Sequence, residues 1–274
     1  MPGVETTIDA MVGNVRTLAR SWERSLRATN RSPKTRETYL EATGQLADFL
    51  EARGMPTAVA APTREHVETF VEHLVEHRSP ATASNRYRAL VRFFSFLEEG
   101  EVAISPMARM KPPSVPEVPI PVLADEDLRR LLQACPGREF DDRRDTAVLR
   151  LFIDTGMRLS ELANLKVDDL DLDHDVAQVL GKGRRPRACP FGSKTSQSLD
   201  RYVRLRSRHT QSSLPWLWLG RTGRMTPSGV GQMVGRRGNE AGIPGLHPHI
   251  LRHVFAHRWL AGGGNEGDLM RLAG

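Results

Sequence analysis

The sequence predicts a mainly α protein of the α+β class, with an N-terminal helical bundle followed by a mostly helical domain that carries one small antiparallel sheet. Three observations lead there. Apolar residues recur at three- and four-residue spacing through most of the 274 residues, which is the pattern of amphipathic helices. Alternation suited to a strand stands out in one place, Val176–Leu180 followed by Gly-Lys-Gly and then Arg185–Phe191, which reads as a β-hairpin. Between Lys111 and Pro121 five of eleven residues are proline, a composition that excludes helix and favours extended chain. A linker over 111–121 therefore separates 1–110 from 122–274, in keeping with a length that exceeds one small core.

The elements follow in order. A first helix is expected over Val12–Leu26. Ser32-Pro33 is a helix start, after which Tyr39, Ala42, Leu46, Phe49 and Leu50 keep helical spacing up to Gly54. Thr63 caps a third helix with Val67, Phe70, Val71, Leu74 and Val75 on its apolar face. Ser79-Pro80 opens a fourth, running through Leu90, Phe93, Phe94 and Leu97 to Gly100. Beyond the linker, Asp125 is expected to cap a helix through Leu128, Leu131 and Leu132. The run Ala147–Ile153 reads as a buried helix ending at Thr155-Gly156, and another starts at Ser160 and reaches Leu165. After the hairpin, helices are expected over Lys194–Arg208, Pro227–Ala241 and Pro248–Leu260, and from about Asn265 onward.

Composition narrows the function. With 39% apolar and 26% charged residues and no apolar stretch approaching the roughly 20 residues of a membrane span, the chain reads as a soluble protein, and its first twenty residues lack the pattern of a secretory signal. The cytoplasm is the expected compartment. Cys135 and Cys189 have neither metal-ligand spacing nor a disulfide framework, and read as buried packing thiols. The net charge of +6 is unevenly spread: residues 1–121 carry 15 Lys/Arg against 15 Asp/Glu, residues 122–175 carry 8 against 14, and residues 176–274 carry 16 against 4. Such a surplus on a folded surface attracts a polyanion, although a merely solubilising face is the plainer reading of the same charge.

The densest chemistry lies in His247-Pro248-His249-Ile250-Leu251-Arg252-His253. A histidine passes protons near neutral pH, and an arginine three residues later shares its helix face and can fork two bonds onto a phosphate. In Thr155-Gly156-Met157-Arg158-Leu159-Ser160-Glu161-Leu162, Arg158 stands in a turn before a helix, a second candidate phosphate grip whose alternative is an ion pair with Glu161 or Asp154. Gly181-Lys182-Gly183-Arg184-Arg185 is either an exposed turn or a mobile lysine suited to protonating a leaving oxygen.

In this order the pieces resemble the tyrosine recombinase, or phage integrase, family of site-specific DNA recombinases, over nearly the whole chain. The family pattern is T-G-x-R-x-S-E-L, a hairpin lysine, H-x-x-R-H, then L-x-x-L-A-G and finally a tyrosine. Arg158, Lys182, His249 and Arg252 match the first four positions, and Leu269 to Gly274 matches the lead-in to the last. The resemblance implies that 1–110 is a core-binding domain which, with the catalytic domain 122–274, clamps duplex DNA. It also implies that Arg158 and Arg252 hold the scissile phosphate, His249 assists proton transfer and Lys182 protonates the 5′-hydroxyl, with no nucleotide cofactor or metal. The partners it implies are double-stranded DNA and, for a full-length protein, three further copies in a tetramer on two DNA sites, in the cytoplasm and at the nucleoid.

Other assignments are weighed beside these. Glu161 and His253 are expected to orient the site, His253 either as a buried residue or as one that supports the phosphate-contacting side chains from behind, and His257 to lie on the helix surface. The spacing of His249, His253 and His257 suggests zinc but lacks the glutamate and further ligands of such a site, so no metal is expected. Arg31, Lys34, Arg36, Arg86, Arg88 and Arg92, with Arg184 and Arg185, are candidate contacts to the DNA backbone; solvated helix faces are the alternative. Trp216 and Trp218 read as core rather than base-stacking residues. Only three tyrosines occur, Tyr39, Tyr87 and Tyr202, all upstream of His249, whereas the family nucleophile lies downstream. The chain is therefore expected to bind DNA without cleaving it, to be monomeric, and to be a piece of a catalytic domain whose end lies beyond Gly274. The rival reading is a non-catalytic DNA-binding regulator with the same clamp.

Overall fold

The computed structural model describes residues 13–58, 61–116, 121–181 and 186–273. The chain divides into two compact units, Met1–Val118 and Pro119–Gly274, with the boundary inside the proline-rich segment. No helix among the described residues is long and apolar enough to cross a membrane.

Unit 1 holds α1 (Val15–Ala28), α2 (Pro33–Ala52), α3 (Arg64–His77) and α4 (Pro80–Leu97). Each start is set by a local cap. Asn14, Ser32 and Ser79 accept the backbone N–H groups of Thr17, Thr35 and Thr82 at 2.8, 3.1 and 3.2 Å, satisfying donors that a helix leaves unpaired in its first turn. Pro33 and Pro80 follow two of these caps at the helix's first position, where a missing N–H costs nothing. Because Asn14 is the cap, α1 starts at Val15 rather than Val12. The bundle closes on Trp22, Leu46, Leu50, Phe70, Leu90, Phe93, Phe94 and Leu97. Val75, expected on the apolar face of α3, is 43% exposed, since the core-facing stripe runs out at Leu74 in the last turn.

Unit 2 holds α5 (Asp125–Gln133), α6 (Phe140–Thr155), α7 (Leu159–Ala163), β1 (Leu170–Asp171), β2 (Val176–Leu180), β3 (Pro186–Pro190), α8 (Ser193–Arg206), β4 (Leu219–Gly220), β5 (Gly223–Arg224), α9 (Pro227–Glu240), α10 (Pro248–Ala261) and α11 (Glu266–Ala273). The hairpin becomes part of a three-stranded antiparallel sheet, β1-β2-β3, with Leu180 opposite Pro186 and Ala177 opposite Cys189. A second two-stranded ribbon, β4-β5, pairs Leu219 with Arg224; it was not expected, because two-residue strands are too short for alternation to show. Asp125 is the first helical residue of α5 and not its cap: Ala124 holds that place, and its N–H donates to the Asp127 carboxylate at 3.0 Å.

The core of unit 2 forms around α6, whose residues Ala147, Val148, Leu149, Leu151 and Phe152 have no exposed surface. This helix begins at Phe140, well before the apolar run, because its early turns bury charge instead of hydrocarbon. Asp145, fully buried, accepts Arg144 on one oxygen and Arg236 and Arg237 on the other, at 2.8 to 3.0 Å. Trp218 is fully buried and its indole N–H donates to the Leu162 carbonyl at 2.8 Å, whereas Trp216 is half-exposed beneath the Arg224 guanidinium, 3.6 Å from the ring centre. Arg206, also buried, gathers the carbonyls of Ser212, Leu214, Trp216 and Leu217, which lets an irregular loop pass beside the core with its acceptors satisfied.

Candidate phosphate-binding site

Gly156 starts the site. It ends α6 in the left-handed conformation (φ 56°), and a Cβ there would lie 2.3 Å from a ring carbon of Phe255 in α10. Glycine thus permits both the turn and the close approach of α10. Two residues on, Arg158 occupies the N-cap position of α7, so its side chain leaves the helix end instead of its flank. The Arg158 N–H donates to one oxygen of Glu161 at 2.9 Å and its Nη1 to the other at 3.0 Å. The ion pair considered for Arg158 is therefore present with Glu161. Asp154 is used elsewhere, accepting the Gly192 N–H and the Thr195 hydroxyl at the start of α8 at 3.0 and 2.7 Å.

Arg252 reaches the same turn from α10. Its Nη1 donates to the Gly156 carbonyl at 2.7 Å, which brings the histidine-arginine run onto the segment that carries Arg158. Burial lowers the affinity of the Arg252 guanidinium for its proton, and the neighbouring charges of Arg158 and Arg187 act in the same direction. Like charges held this close create a place where an anion is favoured. His249, one turn earlier on α10, is exposed, with its ring edge-on to His247 at 6.2 Å. His253 is exposed as well, which excludes the buried one of its two expected roles, because the core-facing positions of α10 are Ile250, Leu251, Val254 and Phe255. His257 is exposed as expected.

The sequence reading missed Arg187. It is the second residue of β3 with its side chain 13% exposed, and its Nη1 and Nη2 donate to the two Glu161 oxygens at 2.9 and 2.7 Å. Its Nε donates to the Leu272 carbonyl in α11 at 3.0 Å. A signal did exist: Arg187 shares a strand face with Cys189, and a charge at an inward strand position calls for a buried partner. Glu161 is that partner, its side chain 6% exposed. Burial by itself would raise the Glu161 pKa, but the bonds from Arg187 and Arg158 outweigh it and hold the carboxyl below its ordinary value.

The sign of the linkage follows. A carboxyl whose folded-state pKa is depressed stabilises the fold above its unfolded value, near 4.5, and loses that contribution as pH falls through the lower folded value. Between about pH 5 and about pH 3, Glu161→Gln is therefore expected to lose less stability than the wild type. Urea unfolding along that series measures it, and parallel curves would contradict the assignment.

Lys182, Arg184 and Arg185 lie outside the described residues; the strands on either side, β2 and β3, are placed. In unit 1, Arg31 and Lys34 are exposed, Lys34 pairing with Glu37 at 2.8 Å, and Arg36 is half-buried. Arg88 and Arg92 stand one turn apart on the exposed face of α4. Arg86 differs. Its side chain is 11% exposed, it pairs with Glu41 and it donates to Gln45 at 2.9 Å, joining α4 to α2 inside the bundle.

In this mostly helical unit Arg158 from a turn and Arg187 from a strand meet on the shielded Glu161 carboxylate, and Arg252 from a helix bonds the turn that carries Arg158. The chain belongs to the phage integrase family of tyrosine recombinases: the family's model matches residues 121–274, and that of the phage integrase N-terminal SAM-like domain matches residues 18–104. It is 31% identical to the tyrosine recombinase XerD of Corynebacterium glutamicum, covering 94% of this chain and 90% of that protein. To the tyrosine recombinase XerC of Azotobacter vinelandii it is 38% identical over 69% of this chain, and it spans 63% of that relative's length. Among solved structures it is similar to a lambda integrase tetramer bound to a Holliday junction, with a TM-score of 0.75 at 16% identity over 100% of this chain and 81% of that one, a likeness of fold.

Proposed function

We propose that this chain is the DNA-clamping and phosphate-binding part of a site-specific DNA recombinase. The observation that carries the reading is the bond from Arg252 to the Gly156 carbonyl, which brings Arg252 onto the turn that carries Arg158. In this reading the two guanidiniums hold the non-bridging oxygens of one phosphodiester and stabilise the charge that grows on them during attack. His249, exposed beside them on α10, passes a proton at the nucleophile, and Lys182 protonates the 5′-oxygen as its bond to phosphorus breaks. The attacking tyrosine would form a 3′-phosphotyrosyl link that preserves the bond for religation.

The tyrosines of this chain are poorly suited to that attack. Tyr202 is buried, donates to the Leu217 carbonyl at 2.8 Å and has its pKa pushed up to about 12 by burial. The Tyr87 hydroxyl donates to the Met110 carbonyl at 2.6 Å, and Tyr39 stacks on Trp22 with ring centres 5.2 Å apart. In this reading these 274 residues bind duplex DNA, and none of their three tyrosines is placed to cut it. Assembly as a tetramer on two DNA sites is proposed for a full-length recombinase, and these 274 residues alone are expected to be monomeric.

Duplex affinity is expected to fall by at least tenfold between roughly 50 and 200 mM salt, the signature of phosphate neutralisation. Affinity indifferent to salt would overturn the clamp. A covalent adduct formed by these residues on a nicked duplex would overturn the assignment of the tyrosines. In any longer product of the same gene that carries a tyrosine beyond Leu272, the adduct should form and Arg158→Ala should abolish it while binding persists. A non-catalytic regulator, the second reading, which the engaged tyrosines favour, would form none.

A further inference from the structure

A cavity of about 630 Å³ lies inside unit 1, between the last turns of α2 and α3, with Phe49, Phe70 and Leu74 as its apolar floor. Its rim is cationic. Arg53 stands at the C-cap of α2 with its guanidinium 4.9 Å from the centre of the Phe49 ring, and Arg78 stands at the C-cap of α3; neither has an ion pair among the described residues. The His73 ring packs 5.3 Å from Phe49 and 4.2 Å from His77, the last residue of α3. Asp48, the acid among the lining residues, is bonded to Arg16. An apolar floor beneath a positive rim fits an apolar side chain carried by an acidic segment, whereas a duplex backbone would bring charge and leave the floor empty.

This chain carries such a segment. After α4 it turns through Glu98-Glu99-Gly100-Glu101-Val102-Ala103-Ile104, and no Lys or Arg lies between Phe93 and Ala108. Ile104 is 73% exposed, the most exposed large apolar side chain among the described residues. The turn holds it there: the Glu98 carboxylate accepts the Ser105 N–H at 2.8 Å, the Ser105 hydroxyl accepts the Met107 N–H at 3.1 Å, and Met107 is buried in the core of the bundle. Glu99 and Glu101 are exposed in the same turn.

The turn and the cavity face different ends of the bundle. Trp22 stacks on Tyr39 at 5.2 Å and lies 5.3 and 6.5 Å from Phe93 and Phe96, so the end of α4 adjoins the first half of α2. Phe49 is ten residues beyond Tyr39, about 15 Å further along the helix axis. A projection and a cavity at different ends of one unit meet head to tail between copies. We propose that Ile104, flanked by Glu99 and Glu101, seats in this cavity of a second copy of the chain, beneath Arg53 and Arg78. A contact of this size is weak, so the chain is monomeric when dilute and the contact acts where copies are already held side by side. The inference goes beyond the DNA-binding reading and uses none of its residues.

Sedimentation equilibrium of the whole chain without DNA tests it. The wild type is expected to be monomeric at about 10 µM and to associate reversibly with a dissociation constant on the order of 0.1–1 mM. Ile104→Asp spoils the turn and Arg78→Glu reverses the charge at the cavity, and each should weaken association about tenfold. Mixed in equal amounts, the two variants should form a one-to-one dimer of about wild-type affinity that grows no further, because each keeps the half that the other has lost. Both substitutions fall at exposed positions, and unchanged far-ultraviolet circular dichroism checks the fold; should Arg78→Glu not fold, Arg53→Glu takes its place.

A wild type that remains monomeric to several times that concentration overturns the proposal, as does a mixture that remains monomeric or a pair of variants that associate like the wild type. If Arg78→Glu weakens duplex binding and leaves self-association intact, the cavity belongs to DNA and the proposal falls. Failure of the wild type to bind duplex would sink the recombinase reading and leave the head-to-tail contact standing.

Discussion

Asp145→Ala is expected to lower the thermal midpoint by roughly 10 °C, from a loss of about 3–5 kcal/mol when one side of a buried ion cluster is removed. Asp145 has no exposed surface and accepts four bonds from three arginines, so its removal strands buried cations in the centre of unit 2. Arg144 and Arg237 also hold the Leu219 and Ala134 carbonyls at 3.0 and 2.7 Å, so the damage should spread from α6 to β4 and to the end of α5. Asp200→Ala provides the comparison. Its partner, Arg204, is exposed, and the loss there should be about 0.5 kcal/mol or less. Melting of Asp145→Ala within about 2 °C of the wild type would mean that the cluster holds nothing together.

Gly156→Ala tests the link between fold and site. An L-residue in the left-handed conformation costs about 1–2 kcal/mol, and the new methyl group would meet the Phe255 ring, adding about 1–3 kcal/mol of overpacking. The expected loss is roughly 2–5 kcal/mol in urea unfolding. Because Arg252 donates to the Gly156 carbonyl, phosphate affinity should fall in the same variant at temperatures where it remains folded. Phe255→Leu in that background removes the ring edge and should recover part of the stability but not the backbone strain. Wild-type stability for Gly156→Ala would contradict the close approach of α10 to the turn.

Local signals were the legible ones. Ser32-Pro33 and Ser79-Pro80 mark the starts of α2 and α4 because a cap and a proline act within one turn, and nothing distant competes with them. The β2-β3 hairpin is legible for the same reason. The start of α6 is not, since Arg144 and Asp145 are core residues there and a reading by apolar periodicity treats them as surface. Trp216 and Trp218 show the limit of alternation: two residues apart, both expected in the core, only Trp218 is buried.

At the site, motif order brought Arg158, Glu161, His249 and Arg252 to attention, because each lies in a short string whose spacing is itself the signal. Arg187 carried no string. Its role depends on a carboxylate in α7 and a carbonyl in α11, both distant in sequence, and one charged residue in a five-residue strand looks like any solvated edge. Arg86 errs in the opposite direction, read as a surface cation but spent on Glu41 and Gln45 within the bundle.

The chain order alone was enough for the helical class, the hairpin and the family, all of which rest on spacing along the backbone. Only the folded structure decided which cation answers which anion. Periodicity reports the face on which a side chain lies, whereas a guanidinium's work depends on what stands across from it. For Arg187 and Arg86 those partners come from other elements, whereas Arg158 finds Glu161 three residues on, and so the three arginines are alike in sequence and different in partner.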